Sequence, residues 1–271
     1  MTVDHGIARL KLARPDAGNA LNETVIAQLL AHAEALAVRD DVRVVVLRGE
    51  GRNFCVGGDL AHFAGIDDIE PEILQLAIDF HAAIEALRSL GAPLIAGVQG
   101  AAAGGGLSLA CACDLVLAGE SARFTMAYTA AGLSPDGGAS WFLPRIVGLR
   151  LATEMLLTNR VLSATEAEAA GIVTTVVPDD ALDAEVEALA DRLRAGATGA
   201  LASVKRLLQA SATAALGEQL EAEARAIAAN AACPDGREGV AAFLARRPPA
   251  FDGASSPLGR RGSLLGAMND E

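Results

Sequence analysis

Apolar and polar positions alternate over Gly6–Leu12 (GIARLKL), which predicts a strand. They recur at helical spacing over Glu23–Val38, with Asn22 placed to cap that helix. Val42–Arg48 (VRVVVLR) is a continuous, largely β-branched run and predicts a buried strand. The glycine-rich segment GEGRNFCVGGDL follows, and then an amphipathic helix around Pro71–Leu90. Pro93–Val98 (PLIAGV) predicts the next strand, and the loop GAAAGGG after it opens a helix over Leu107–Ala112. Further strands are expected at Asp114–Ala118 and Gly171–Val177. Strands alternating with helices imply an α/β domain with parallel crossovers. Beyond about Asp179 the pattern is helical only, over Ala184–Ala195, Thr198–Ala214, Gly217–Ala231 and Glu238–Arg246. No linker-like stretch separates these helices, so they are expected to pack on the α/β body or on a neighbouring subunit. The turn-rich tail from Asp252 is expected to be mobile.

Composition narrows the class. The 271 residues suffice for a substantial core. An apolar fraction of 52%, rich in alanine, with only 3% aromatics favours closely apposed helices and strands over an aromatic-rich all-β fold. The net charge of −12 argues against a general nucleic-acid surface, though backbone amides and a few cations can still bind an anion locally. Cys55, Cys111, Cys113 and Cys233 show no ligand spacing and suit a reducing compartment. The N-terminal MTVDHGIARLKLARP has no signal-peptide pattern and no run reads as a membrane span, so a cytoplasmic protein is expected.

Two glycine clusters, FCVGGDL (Phe54–Leu60) and GGGLSLA (Gly104–Ala110), each follow a strand and precede a helix. Glycine there lets a ligand approach the backbone, and free amides at a helix start point outward. Two such amides converging on one point would make an oxyanion hole; alternatively each glycine only permits tight packing. Neither cluster has a dinucleotide or P-loop pattern. In GLSPDGGASW (132–141) a lone carboxylate, Asp136, sits at a Pro/Gly turn between apolar segments. It either caps the helix over Ser140–Ile146 or is delivered into a site.

ARPDAGNALN, FCVGGDL, GVQGAAAGGGLSLACACDLVLAGESARF, GLSPDGGASWFLPRIVG and EGVAAFLARRPPAF occur in this order over about residues 6–251. Together they resemble the enoyl-CoA hydratase/isomerase, or crotonase, family. The resemblance implies an α/β spiral of repeated ββα units over 1–195, a helical region over 196–251 that makes homotrimers or dimers of trimers, and a tail over 252–271. It also implies an acyl-CoA thioester as substrate, with coenzyme A as part of that substrate and no separate cofactor. The oxyanion hole carries over to the backbone amides of Gly58 and Gly105. Substrate and CoA binding falls on Asn19, Ala20 and Leu21, on Gly57, Asp59 and Leu60, and on Gly104.

Departures from the family pattern bear on the reaction. Similar hydratases use two glutamates, and those positions hold Ser108 and Tyr128 here. Neither is an acid/base near neutral pH, so the pair that adds water is missing. Asp136 matches the single carboxylate of isomerase-like relatives, where one base removes a proton at C2 of a 3-enoyl-CoA and returns it at C4. The resemblance extends to 4-chlorobenzoyl-CoA dehalogenases, whose nucleophile matches Asp136 and whose base matches His81, while their halide-site Trp is Tyr128 here. Double-bond isomerisation is therefore expected first, against a single-acid hydratase, a dehalogenase-like hydrolase or a non-catalytic acyl-CoA scaffold. From the residues themselves, His81 belongs to a semi-apolar helix stripe and suits a core or site-edge position. Tyr128 and Trp141 either line the acyl pocket or pack in the core. Ser108 is expected to border the site, Arg14 could approach CoA phosphates, and dispersed His5, His32 and His62 suggest no metal.

Overall fold

The computed structural model describes residues 1–252; the tail from 253 on lies outside the described residues. The first half of the chain forms β1 (Thr2–Asp4), β2 (Ile7–Leu12), α1 (Glu23–Ala37), β3 (Val44–Gly49), α2 (Leu60–Phe63), α3 (Ile69–Arg88), β4 (Leu94–Val98), β5 (Ala101–Ala103) and α4 (Gly105–Cys111). Then come β6 (Leu115–Gly119), β7 (Arg123–Thr125), α5 (Ala139–Thr158), β8 (Leu162–Ser163), α6 (Ala164–Ala169), β9 (Thr175–Val177), α7 (Leu182–Arg194), α8 (Thr198–Ser211), α9 (Leu216–Ala232) and α10 (Pro234–Leu244).

A six-stranded sheet runs in the order β1-β2-β3-β4-β6-β9, parallel except for the β1–β2 pair, and a smaller sheet pairs β5, β7 and β8. β4 and β6 each pass within a few residues into a short strand of the second sheet, β5 and β7, before a helix. This is the expected turn of a ββα spiral, and the fold class is the crotonase type. Alternation in β2 divides its side chains between two cores. Ala8, Leu10 and Leu12 join a large cluster with α1, α3, α4 and α5, while Ile7 joins Val44, Val46, Ile95 and Leu117 under Leu182, Val186 and Leu189 of α7. α1 starts where expected because Asn22 Oδ1 accepts the Val25 N–H at 3.1 Å.

Three elements differ from expectation, each for a local reason. The strand expected at Gly171–Val177 forms only over Thr175–Val177, because the Ile172 and Val173 amides bond to Ala167 O at the end of α6. The Ser140–Ile146 helix runs on to Thr158, broken at Gly148, whose φ of 78° and ψ of 157° are not helical. α10 begins four residues early, since Pro234 occupies its first turn and Cys233 Sγ accepts the Gly236 N–H.

α8 is tied to the body by Lys205, buried at 7% exposure, whose ammonium meets Asp114 at 2.7 Å and Ala92 O at 3.2 Å. No helix among the described residues is long and apolar enough to cross a membrane.

Candidate active site

The glycine loops are brought together by backbone pairing. Cys55 and Ala102 form a parallel bridge in which the Cys55 N–H donates to Ala101 O and the Ala103 N–H to Cys55 O. Beyond that bridge Gly57 lies against Gly104 and Gly105, which brings the loop continuing into Gly58 to the start of α4. The approach is close: a Cβ on Gly57 would lie 3.0 Å from Ala103 O and 3.4 Å from Gly105 N, and one on Gly106 would lie 2.2 Å from Cys55 O. On its other edge the loop is laddered to Leu21, whose N–H donates to Gly57 O at 2.8 Å and whose O accepts the Asp59 N–H at 2.9 Å. Those bonds leave the Gly58 amide facing the other way. Gly105 is the first residue of α4, where an amide has no intrahelical acceptor. Among the described residues neither amide donates a hydrogen bond. The glycines divide by position: Gly57 and Gly106 allow close packing, whereas the Gly58 and Gly105 amides are left without an acceptor among the described residues.

Asp136 does not cap α5. The N-cap is Gly138, in the left-handed region, with no side-chain cap bond. Instead Asp136 Oδ1 accepts a 2.7 Å hydrogen bond from the Tyr128 hydroxyl. Ser108 Oγ, with one proton to give, lies 3.0 Å from the Tyr128 oxygen and 3.1 Å from Asp136 O. The next amide, Gly137 N–H, donates to His81 Nε2 at 3.1 Å. Gly137 and Gly105 share a neighbour, the Phe80 ring: Cβ atoms there would lie 2.6 Å and 3.4 Å from its edge. The turn carrying Asp136 thus stands one helical turn along α4 from the glycine amides. Burial, reinforced by the Asp136 charge, pushes the Tyr128 pKa far above that of free tyrosine, so Tyr128 keeps its proton.

The remaining expected residues divide into supports and edges. Asn19 is 1% exposed, and its carboxamide accepts the Arg14 N–H and donates to Glu50 O and Asn53 O. It therefore knits the NALN turn to the following loop, beside buried Ala20 and Leu21. Asp59 pairs with Arg14 at 2.8 Å and caps α2, and the Arg14 hydrogen bond lowers its pKa. Arg14, expected near phosphates, is committed to that pair and to Ala20 O. Leu60 is exposed at the loop end and Gly104 forms the turn into α4. His81 is exposed at the site edge, while its neighbour Phe80 is the buried residue.

Trp141 is not a core residue: 38% exposed, its ring lies 4.2 Å from the Arg145 guanidinium and 5.3 Å from that of Arg88. No periodicity in the sequence marks the Ser108–Tyr128–Asp136 chain or the place of Phe80 between the two turns. Cys55 and Cys111 are buried, which pushes their pKa values up to about 12. Among the described residues no cluster of three or more His, Cys, Asp or Glu could hold a metal. A separate cavity of about 660 Å³ lies on the α7 face of the sheet and contains none of these site residues.

A sequence model of the enoyl-CoA hydratase/isomerase family matches residues 2–254. Among similar proteins, a 1,2-epoxyphenylacetyl-CoA isomerase of Escherichia coli is 35% identical, over 93% of this chain and 97% of its own. A 2,3-dehydroadipyl-CoA hydratase of the same organism is 36% identical, over 90% and 94%. A 4-chlorobenzoyl coenzyme A dehalogenase of Arthrobacter sp. is 33% identical, over 91% of both. The crystal structure of an enoyl-CoA hydratase from Polaromonas sp. JS666 superposes with a TM-score of 0.88 at 37% identity, covering 92% of this chain and 98% of that one. Relatives with three different reactions share this frame. With its glycine amides and spiral fold, the chain belongs to the enoyl-CoA hydratase/isomerase family.

Proposed function

We propose that this enzyme shifts the double bond of an enoyl-CoA, using Asp136 as a single proton shuttle. The observation that carries this reading is the Asp136 side chain, which leaves the helix end uncapped and is held by Tyr128 instead. The thioester oxygen would accept hydrogen bonds from the Gly58 and Gly105 amides. Asp136 would take a proton from C2 of a 3-enoyl-CoA, forming a dienolate whose charge rests on that oxygen. The same carboxyl would return the proton at C4. Two preorganised donors at a developing oxyanion are often worth several kcal/mol. The shuttle consumes no water and is redox-neutral, so no cofactor beyond the substrate's CoA enters it.

Hydration fits less well. It needs groups to activate water and to protonate C2, and Ser108 and Tyr128 stand where hydratases carry glutamates. Tyr128 holds its proton and directs it at Asp136. In a dehalogenase-like reaction His81 would act as base, yet its Nε2 already accepts the Gly137 N–H. CoA would lie along Asn19–Leu21 and Gly57–Leu60, where the two loops are laddered together. We also propose a homotrimer or dimer of trimers, on the strength of exposed Leu216, Ile227, Val240, Phe243 and Leu244 on α9 and α10.

Purified protein and an Asp136→Asn variant offered 3-hexenoyl-CoA, crotonyl-CoA and 4-chlorobenzoyl-CoA test the reading. Formation of the 2-enoyl thioester, abolished in the variant, is the expected result. Chloride release dependent on Asp136 and His81, or hydration of crotonyl-CoA without isomerisation, would overturn it. Binding of all three esters without turnover would point to a scaffold instead.

A further inference from the structure

We infer that Tyr128 is the positioning residue of Asp136: its hydroxyl, seated by Ser108, fixes Oδ1 and leaves Oδ2 as the oxygen that exchanges protons with substrate. This rests on Asp136 being the shuttle. An ionised carboxylate only accepts, so at 2.7 Å the Tyr128 hydroxyl is the donor. Its oxygen then has lone pairs free for the single Ser108 Oγ–H at 3.0 Å, a proton also within reach of Asp136 O at 3.1 Å and Gly104 O at 3.3 Å. Ser108 is fully buried and sits on α4, a helix whose residues are all buried, so the chain of hydroxyls starts from a rigid element.

Among the described residues Tyr128 is the one side-chain donor to the carboxylate, and Oδ2 accepts no hydrogen bond. The amide that follows it in sequence is diverted to His81, and Ala139 N–H is taken by the Asp136 backbone oxygen. Asp136 is followed by two glycines with φ of 60° and 76°, residues with the least intrinsic backbone restriction. A carboxylate on such a turn would sample several directions without the tyrosine. The raised pKa of Tyr128 agrees with a donor that does not itself give up its proton. Tyr128 thus acts through Asp136 rather than on the substrate, and the pair of positions that hold glutamates in hydratases becomes a neutral clamp.

The test compares Tyr128→Phe, Ser108→Ala and Asp136→Asn on 3-hexenoyl-CoA. Tyr128→Phe keeps the ring and should melt within about 2 °C of the parent. Its kcat should fall roughly 10- to 100-fold, the range for losing a hydrogen bond to a charged group, with KM within about twofold. Ser108→Ala should lower kcat by less, with KM likewise within about twofold. A Tyr128→Phe enzyme with parental kcat would overturn the inference. So would a raised KM at parental kcat, which would make Tyr128 a substrate contact. Were Asp136→Asn to keep its turnover, the shuttle reading itself would fail. An inactive Asp136→Asn beside an unaltered Tyr128→Phe would sink only the positioning role.

Discussion

In the proposed site the groups that would meet the substrate at Gly58 and Gly105 are backbone amides, whereas at Asp136 the group would be a side chain. The amides are placed by ladder bonds running through Cys55, Ala102, Leu21 and Asp59, and by contacts that leave no room for a Cβ at Gly106 and crowd one at Gly57. Among the described residues the carboxylate is held by a single hydroxyl. One half of the site is therefore inseparable from the fold, and the other can be altered at the cost of one hydrogen bond. This difference fits a family in which one frame carries several reactions: the proposed oxyanion site is built into the frame, while the proposed proton-handling group hangs from a turn.

The sharpest break in that comparison is Asp136→Asn. Removing the shuttle should lower isomerisation by about 10³-fold. The melting temperature should stay within about 2 °C, since no helix cap is lost. A melting drop of several degrees with activity retained would restore the capping role that Gly138 now fills. Gly106→Ala should do the opposite. Its methyl would meet Cys55 O at 2.2 Å and must push the two loops apart, costing about 3 kcal/mol and melting the protein several degrees lower. Thermal unfolding and CoA-ester binding would fall together; an unchanged melting point would show the loops to be adaptable after all.

These two halves also differ in how far the sequence exposes them. Glycine clusters between strand and helix mark the amides directly, because only glycine tolerates a backbone that close. Asp136 is visible as a lone carboxylate in a Pro/Gly turn, yet capping and catalysis look alike there until the Tyr128 bond is seen. Tyr128 and Asp136 are eight residues apart across a left-handed Gly132, a separation that no helical or strand period connects. The same limit applies to the fold. Long elements such as α1, α3 and β3 follow from periodicity, with ends shifted by one or two residues. The short strands β5, β7 and β8 (AAA, RFT and LS) carry no pattern of their own and are strands because they pair with one another. Asn19 looks like a ligand contact in its motif, whereas its burial and three hydrogen bonds make its side chain a brace.

His81 links backbone and side chain in the Asp136 turn, since its ring accepts the Gly137 amide. His81→Ala exposes that amide to water, which can replace the imidazole, so the cost should be about 1 kcal/mol and less than a tenfold loss in kcat. A loss as deep as that of Asp136→Asn would make His81 a reacting base and favour dehalogenation.

The smallest effect should come from the one ion pair that ties the NALN turn to the VGGD loop. Arg14 donates to Asp59 Oδ2, and Oδ1 accepts the His62 N–H, so the folded carboxyl titrates below its ordinary value of 3.8. A depressed folded pKa stabilises above the unfolded value and loses that contribution as pH falls through the folded one. Asp59→Asn should therefore melt slightly below the parent by a gap that is constant from about pH 5 to 8 and closes below pH 3.8. Isomerase kcat at neutral pH should be unchanged, because the pair braces the loop from behind and the Gly58 amide remains held by the Leu21 ladder. A gap that widened in acid, or a kcat that fell with the pair, would mean that the backbone half of the site depends on a side chain as much as the Asp136 half does.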